Sequence, residues 1–460
     1  MTKTVILGAG LTGISTSYHL GHDQCLLLER NSYPGGHIFT EVVDGFTWDE
    51  GPHISFTKHD YVKKLWEENV DGEFLEYPVA TGNYYEGHWI PHPAQSNLFA
   101  VPEPLRQQCL DSFLATREKS DEDFKPENYG DWLLAAFGDK FATTFPFSYT
   151  KKYWTADAKH LDTDWVGERV YYPSVDDVVE GSKGPLPEET HYIQSIRYPK
   201  RGGYYAYADK MTHGANIRYN TEMQSISFAD RQMRMEDGEV IDFEKLVITS
   251  PLPELIQRSD APDDVKKAAE VLCCTQLLIV NVIADHDTAR EENWIYVYDE
   301  SKWSTRINCT EKLSPENGIP GKTGIQVEVY FSKYRPLENN LDDIASQVVD
   351  ELVEMGLVKE RSMVSSYHHR WVEWANVVFD KPRKAAQDAI LTWLENHGLV
   401  REEDDLHPMT DWDKQLEKVQ KVPEQAVFLA GRFAQWKYFW TDDCVLRGLQ
   451  LSKMIDIETS

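Results

Sequence analysis

Three glycines near the beginning of the chain, Gly8, Gly10 and Gly13, have the spacing of a dinucleotide-binding turn. The first allows a tight turn, the second lets the backbone approach a pyrophosphate, and the third lets a helix pack on a strand. Glu29 ends the next apolar run, where its carboxylate can accept hydrogen bonds from the ribose hydroxyls of an adenosine. These residues predict a dinucleotide cofactor bound at a helix N-terminus, where free N–H groups favour negative charge.

The residues that follow Glu29 favour FAD over NAD. Arg30 and the pair Gly35-Gly36 complete a pattern that resembles the second glycine signature of FAD proteins in the glutathione-reductase-like superfamily. In that superfamily the acidic residue, the arginine and the glycines surround the adenosine and pyrophosphate of the flavin. Gly431-Arg432, after the apolar run 426–430, resembles the C-terminal flavin segment of the same proteins.

The elements that must position these residues are spread along the chain. A β–α–β pattern occupies the beginning, and two further apolar strands at 246–250 and 426–431 each end in turn residues. We therefore predict an α/β fold whose Rossmann-like FAD-binding domain is assembled from discontinuous segments, about 1–60, 190–255 and 405–460. A mainly helical insertion is expected at 61–189, with a helix over 129–141. An antiparallel β-sheet region that contacts the substrate is expected at 256–404, with a helix over 341–355.

Composition excludes several classes of function. With 41% hydrophobic residues the chain can bury a large core. The net charge of −29, from 47 Lys+Arg against 76 Asp+Glu, disfavours binding to nucleic acid or to an anionic membrane surface. Six cysteines without a CxxC pair indicate a reduced compartment and no metal site. No apolar stretch is long enough for membrane insertion, and a first strand at 2–7 leaves no room for a cleaved signal, so a cytoplasmic protein is expected.

Beyond the cofactor motifs, the chain resembles the UDP-galactopyranose mutase family, particularly its longer eukaryotic members. The similar stretches run in the same order along most of the chain, which makes the resemblance more specific than any one of them. They are Trp48–Phe56, Trp89–Asn97, Tyr149–Trp154, Trp165–Val170, Tyr198–Gly203, Trp294–Tyr296, Arg306, Tyr367–Arg370 and Gly431–Tyr438.

The resemblance implies an isomerisation between the pyranose and furanose forms of a nucleotide sugar, without net oxidation or reduction. In the family, N5 of the reduced flavin attacks the anomeric carbon and the diphosphate leaves; eukaryotic members use NAD(P)H as reductant. Arg169 and Arg306 match the arginines that bind the diphosphate, a role that suits a planar guanidinium. The other matched residues are His53 beside the flavin, Tyr438 on the phosphates, Trp154, Trp294 and Tyr296 around the substrate, and Asp442 near the flavin.

Several departures from the family leave the substrate open. His92 stands where the family has tyrosine, and Ala94 replaces a phenylalanine near the base, so both the nucleotide and the sugar are undetermined. A second hypothesis is a redox flavoenzyme of the amine-oxidase or protoporphyrinogen-oxidase type, whose pocket would be apolar or aromatic. The segment 181–189, rich in glycine, proline and charge, is a candidate lid over the substrate.

Overall fold

The glycine turn lies at the carboxyl end of the central strand of a five-stranded parallel sheet. The computed structural model describes residues 4–118, 125–167, 170–186, 195–417 and 422–456. In spatial order, the strands of this sheet are β19 (Ala426–Leu429), β13 (Lys245–Ile248), β1 (Thr4–Leu7), β2 (Cys25–Leu28) and β9 (Ile217–Arg218). The predicted strands at 246–250 and 426–431 are therefore confirmed. Most of these strands are buried along their whole length, which explains why they are continuous apolar runs.

A second sheet of seven strands faces the carboxyl ends of the first. In spatial order, it consists of β18 (Val364–Val378), β14 (Cys273–Ala284), β17 (Thr323–Phe331), β16 (Arg306–Cys309), β15 (Trp294–Val297), β6 (Thr81–Tyr85) and β7 (His88–Pro91). Every pairing is antiparallel except that of β15 with β6, which is parallel. The expected antiparallel region is thus a mixed sheet.

The hairpin β6–β7 lies within residues 61–189, the segment that was expected to be mainly helical and that contains α-helices as well. Its two turn residues, Glu86 and Gly87, both have positive φ angles (45° and 82°), as a two-residue hairpin turn requires. Because β6 pairs with β15, this hairpin extends the seven-stranded sheet.

Smaller strands complete the β-structure. They are the hairpin of β3 (Thr40–Val43) and β4 (Phe46–Asp49), the pair of β5 (Phe74–Pro78) and β8 (Ser195–Pro199), and a three-stranded sheet of β10 (Met223–Ser227), β11 (Gln232–Met235) and β12 (Val240–Asp242).

The helices cover both sheets. They are α1 (Leu11–Leu20), α2 (Asp60–Asn69), α3 (Leu105–Glu118), α4 (Tyr129–Phe137), α5 (Asp139–Thr144), α6 (Pro146–Tyr153), α7 (Val175–Lys183), α8 (Ala206–Asp209), α9 (Leu252–Gln257), α10 (Asp263–Val271), α11 (Leu341–Glu354), α12 (Arg383–Glu395), α13 (Trp412–Glu417) and α14 (Thr441–Asp456). The expected helix at 341–355 is confirmed by α11.

Two of the expected segments have different boundaries in the structure. The helix predicted over 129–141 is broken at Gly138, whose φ of 76° ends α4 before α5 begins. The candidate lid at 181–189 begins inside α7, where a Cβ on Gly181 would lie 2.1 Å from the Ser96 carbonyl oxygen. Residues 187–189 of that segment lie outside the described residues.

Length and hydropathy together exclude a membrane-crossing helix in the part of the chain that the structure describes.

Gly13 provides a test of how β1 and α1 pack. A Cβ at this position would lie 2.1 Å from the Gly8 carbonyl oxygen, which belongs to the backbone and cannot move aside. We expect Gly13→Ala to lower the free energy of unfolding by about 1–3 kcal/mol and to reduce the flavin content of the purified protein. Thermal unfolding and flavin absorbance measure both effects.

Gly184→Ala is the matched control, because a Cβ there meets no atom of the described residues within 4 Å. If Gly13→Ala matched this control in stability and flavin content, the predicted close packing of the turn would be wrong.

Candidate active site

A cavity of about 800 Å³ lies between the carboxyl ends of the parallel sheet and the seven-stranded sheet. Its position is the crevice where open α/β sheets bind their ligands. Most of the site residues predicted from the sequence line it: Gly8, Gly10, Glu29, Arg30, Gly36, His53, Trp154, Trp294, Tyr296, Arg306, Gly431, Arg432, Tyr438 and Asp442. Gly13 packs beneath the turn instead, and Arg169 lies outside the described residues.

Glycine backbones form a cradle at one end of this cavity. Gly8 and Gly431 both have positive φ angles, and a Cβ on either would lie within 2.7 Å of a threonine Oγ1, on Thr249 and Thr12 respectively. Helix α1 begins directly after Gly10 without a side-chain cap or an acidic residue in its first turn. The Ser250 hydroxyl is buried in the cavity wall without a partner among the described residues. This arrangement fits the pyrophosphate of FAD.

Glu29 stands beside the cradle, and the backbone orients it. Its two carboxylate oxygens accept hydrogen bonds from the Ala9 and Asn31 N–H groups, each at 2.8 Å. Each oxygen retains a second lone pair for a ligand hydroxyl. The neighbouring cations are already compensated, because Arg30 pairs with Glu254 at 3.4 Å and Arg258 pairs with Glu222 at 2.8 Å. Arg258 was not predicted from the sequence, although it ends helix α9, which directly follows one of the predicted cofactor strands.

His53 is neutral at physiological pH. Burial lowers the pKa of its imidazole to about 4. Its Nδ1 lies 3.0 Å from the Gly51 carbonyl oxygen, which can only accept, so Nδ1 carries the proton. The unprotonated Nε2 is therefore available to accept a hydrogen bond from a ligand in the cavity.

Arg306 is held by a buried carboxylate. Its Nε and Nη2 lie 2.5 and 2.8 Å from the two oxygens of Glu328, and the Tyr330 hydroxyl donates to the same carboxylate at 2.9 Å. Burial opposes the charge of Arg306, but Glu328 more than compensates and keeps the guanidinium pKa well above its usual value. The pair fixes the guanidinium rigidly and neutralises much of its charge.

Arg432 has a different environment. Its Nη1 lies 3.4 Å from the Asn376 side-chain oxygen, and its guanidinium lies 5.4 Å from the Tyr438 ring centre. Its Nε is buried without a hydrogen-bond partner among the described residues. Among the arginines that line the described part of the cavity, Arg432 has no carboxylate partner, so its charge is the least compensated.

Aromatic side chains form the far wall of the cavity. Tyr149 lies 5.3 Å from Tyr296 and 5.7 Å from Tyr153, measured between ring centres. Trp154 is buried against Trp165 and Tyr438, and the Trp294 indole donates to the Tyr296 hydroxyl at 2.8 Å. Such a wall can stack on a sugar ring, but it equally suits an apolar substrate.

His92 and Ala94, the two residues that differ from the family pattern, differ in their exposure to the cavity. His92 lines the cavity, with its ring centre 4.9 Å from that of Tyr296. Its Nδ1 lies 3.0 Å from the Asn83 side-chain oxygen. Ala94 is fully buried and is not part of the cavity lining.

A second charged cluster near the flavin end was missed from the sequence. Glu50 pairs with His37 at 2.7 Å and with Arg370 at 3.0 Å, and Arg370 also donates to the Tyr33 hydroxyl at 2.7 Å. Burial would raise the pKa of Glu50, but His37 and Arg370 outweigh it and hold this pKa below its usual value. The matched stretches 48–56 and 367–370 each contained one member, but nothing in the sequence paired them.

Comparison with known proteins supports a flavoenzyme fold. The sequence pattern of the flavin containing amine oxidoreductase family matches residues 11–453. In structure, the chain is similar to a reduced UDP-galactopyranose mutase, with a TM-score of 0.86 and 20% identity, covering 99% of this chain and 94% of that chain. It is also similar to a putative protoporphyrinogen oxidase from Exiguobacterium sp. 255-15, with a TM-score of 0.70 and 17% identity, covering 100% and 99%. A fatty acid isomerase from P. acnes follows with a TM-score of 0.60 and 13% identity, covering 100% and 98%. At these identities the likenesses show a shared FAD-dependent oxidoreductase fold.

The neutral state of His53 predicts how the free energy of unfolding depends on pH. Between the unfolded pKa of 6.5 and the folded pKa of about 4, the unfolded chain binds a proton that the folded protein does not. The free energy of unfolding therefore falls as the pH is lowered through this window, and His53 contributes at most about 3 kcal/mol of that fall. We expect His53→Gln to remove this contribution in chemical denaturation series across the window.

His88→Gln is the control, because His88 is an exposed histidine on β7. Equal pH slopes for wild type and His53→Gln would contradict the buried, neutral imidazole.

Proposed function

The chain belongs to the flavin containing amine oxidoreductase family, and within it we propose that the protein is a mutase that interconverts the pyranose and furanose forms of a nucleotide sugar. UDP-galactose or a close relative is the proposed substrate. The observation that carries this proposal is the convergence of two guanidiniums on an aromatic wall beside His53, in the same cavity as the FAD cradle.

Both guanidiniums, those of Arg306 and Arg432, act on the phenol of Tyr153. Burial raises the pKa of its phenol, while Arg306 and Arg432 both act in the opposite direction. Two cations near one tyrosine, in a chain of net charge −29, make a local site for an anion such as a diphosphate. A guanidinium fixed by Glu328 needs little reorganisation to meet the negative charge that gathers on a departing diphosphate. The proposed contact of Arg169 with the same group remains a prediction.

The other residues have roles that follow from their geometry. When bound at the cradle, a reduced flavin would supply N5 as a nucleophile for the anomeric carbon of the sugar. The lone pair on His53 Nε2 could accept a hydrogen bond from the bound cofactor or substrate without a change of protonation. Trp154, Trp294, Tyr296 and Tyr438 exclude water and hold the sugar and phosphates against that face.

A redox flavoenzyme of the amine-oxidase or protoporphyrinogen-oxidase type is the second candidate. One observation favours it: Glu328 neutralises Arg306, so much of the wall around Tyr149 is aromatic and weakly charged. Such a wall would accept an apolar or aromatic amine as readily as a sugar.

The two candidates differ in their need for reduced flavin. We expect dithionite-reduced protein, incubated with UDP-galactopyranose without oxygen, to form a furanose product that chromatography separates. Oxidised protein should form none. Binding of UDP without turnover would point to another nucleotide sugar, and a protein that binds no UDP in either redox state would contradict the proposal.

Arg306 offers a direct test of anion binding. Arg306→Gln keeps an N–H donor for Glu328 while it removes the positive charge, so the carboxylate retains a hydrogen-bond partner. We expect the affinity for UDP, measured by calorimetry, to fall by about tenfold or more while FAD stays bound.

The matched control is Arg290→Gln, because Arg290 pairs with Glu292 and lies outside the cavity lining. If both variants bound UDP as tightly as wild type, Arg306 would not contact the diphosphate.

A further inference from the structure

The loop between β15 and β16 is held by a buried ammonium group on helix α6. The Lys152 side chain is 2% exposed, and its Nζ donates to the carbonyl oxygens of Asp299 at 2.6 Å and Ser304 at 2.7 Å. Both acceptors are backbone atoms of the loop, so a single side chain closes the two ends of the loop against α6.

A carboxylate on helix α11 holds the same loop from the other side. Glu351 accepts from the Trp303 and Ser304 N–H groups at 2.6 and 2.9 Å, and from the Ser304 hydroxyl at 2.6 Å. Ser304 therefore lies between two buried charges. Its carbonyl oxygen accepts from the Lys152 ammonium, and its N–H donates to the Glu351 carboxylate. Two opposite charges fix one residue, and each stabilises the other's hydrogen bonds.

The elements joined in this way form two walls of the candidate active site. Helix α6 presents Tyr149 and Tyr153 to the cavity, and the β15–β16 hairpin presents Tyr296, Tyr298 and Arg306. The walls meet where the Tyr149 ring lies 5.3 Å from Tyr296 and 5.7 Å from Tyr298. Ser304 is two residues before Arg306, so the anchored loop leads directly into the strand that carries the guanidinium.

We propose that Lys152 is a positioning residue: its ammonium sets the spacing between α6 and the β15–β16 hairpin, and thereby the affinity of the cavity for its anionic ligand. Lys152 does not line the cavity, and it acts through Tyr149, Tyr153 and Arg306. The effect on nucleotide affinity rests on the proposed function, whereas the effect on the loop does not.

The position of Lys152 also gives the site a dependence on pH. Burial lowers the pKa of Lys152 to about 7, with Glu351 and Asp299 acting against it. The other charged groups that face it are Arg335 and Lys302, which both disfavour its charge. As pH rises through this pKa, the ammonium loses a proton and its bonds to the two carbonyl oxygens weaken. The loop is then held less firmly and ligand affinity falls.

The test compares Lys152→Met and Lys152→Gln with Lys151→Met in FAD-loaded protein. Methionine removes both hydrogen bonds at similar length, and glutamine keeps N–H donors without charge. Lys151 is the control, because its half-exposed side chain reaches the same loop through a surface ion pair with Glu300 at 3.5 Å, and such exposed pairs contribute little. Hydrogen exchange of residues 298–306 reports on the loop, and calorimetry with UDP between about pH 6 and pH 8 reports on the site.

We expect Lys152→Met to accelerate exchange of the loop and to weaken UDP binding by about tenfold, with FAD content unchanged. Wild type and Lys151→Met should lose affinity as pH rises, and Lys152→Gln should lose that dependence. Unchanged exchange in both Lys152 variants would overturn the positioning role. If wild type bound no UDP, the proposed function would fail, and exchange alone would decide the role of Lys152.

Discussion

The fold and its cavity depend on one junction, where three segments that are distant in sequence pack so closely that two positions accept only glycine. The turn after β1, the end of β13 and the end of β19 converge, and Gly8 and Gly431 lie against Thr249 and Thr12. The parallel register of the three strands brings their carboxyl ends to one edge. Helix α1 begins at the same edge with its first N–H groups free of side-chain caps. The proposed cofactor position therefore follows from backbone geometry, and the proposed chemistry depends on the side chains of the seven-stranded sheet.

Charge in the cavity is mostly compensated by the protein itself. Glu328 fixes Arg306, Glu50 fixes Arg370, and His53 is held neutral by burial. Such a site is preorganised, because its groups need not move or change protonation when a ligand arrives. It leaves Arg432 as the least compensated guanidinium of the described lining, next to Tyr438. A site of this kind favours an anion of limited charge beside aromatic surface, which is the combination that a nucleotide sugar presents.

Most of the residues that the sequence predicts for the cofactor end line one cavity, and their roles stay predictions, whereas the side-chain partners at the far end were not predicted. Gly8, Gly36 and Gly431 were identifiable because a turn that approaches a ligand tolerates few other residues, and β1, β13 and β19 because buried parallel strands are continuous apolar runs. The hairpin β6–β7 was assigned to a helical region, since its pairing with β15 joins residues far apart in the chain. The partners of Arg306 and Arg370 were missed for the same reason. An ion pair such as Glu50–Arg370 leaves no local pattern. The domain boundaries stay predictions.

The central claim is that this cavity uses a reduced flavin without consuming it. The most direct measurement records the flavin absorbance of reduced protein, without oxygen, while an excess of UDP-galactopyranose turns over. We expect furanose product to accumulate far beyond the amount of protein while the flavin stays reduced throughout. Oxidation of the flavin in step with product, which a net reduction of the substrate would require, would contradict the mutase proposal, as would the absence of product from reduced protein, which is the result expected of an oxidase without oxygen.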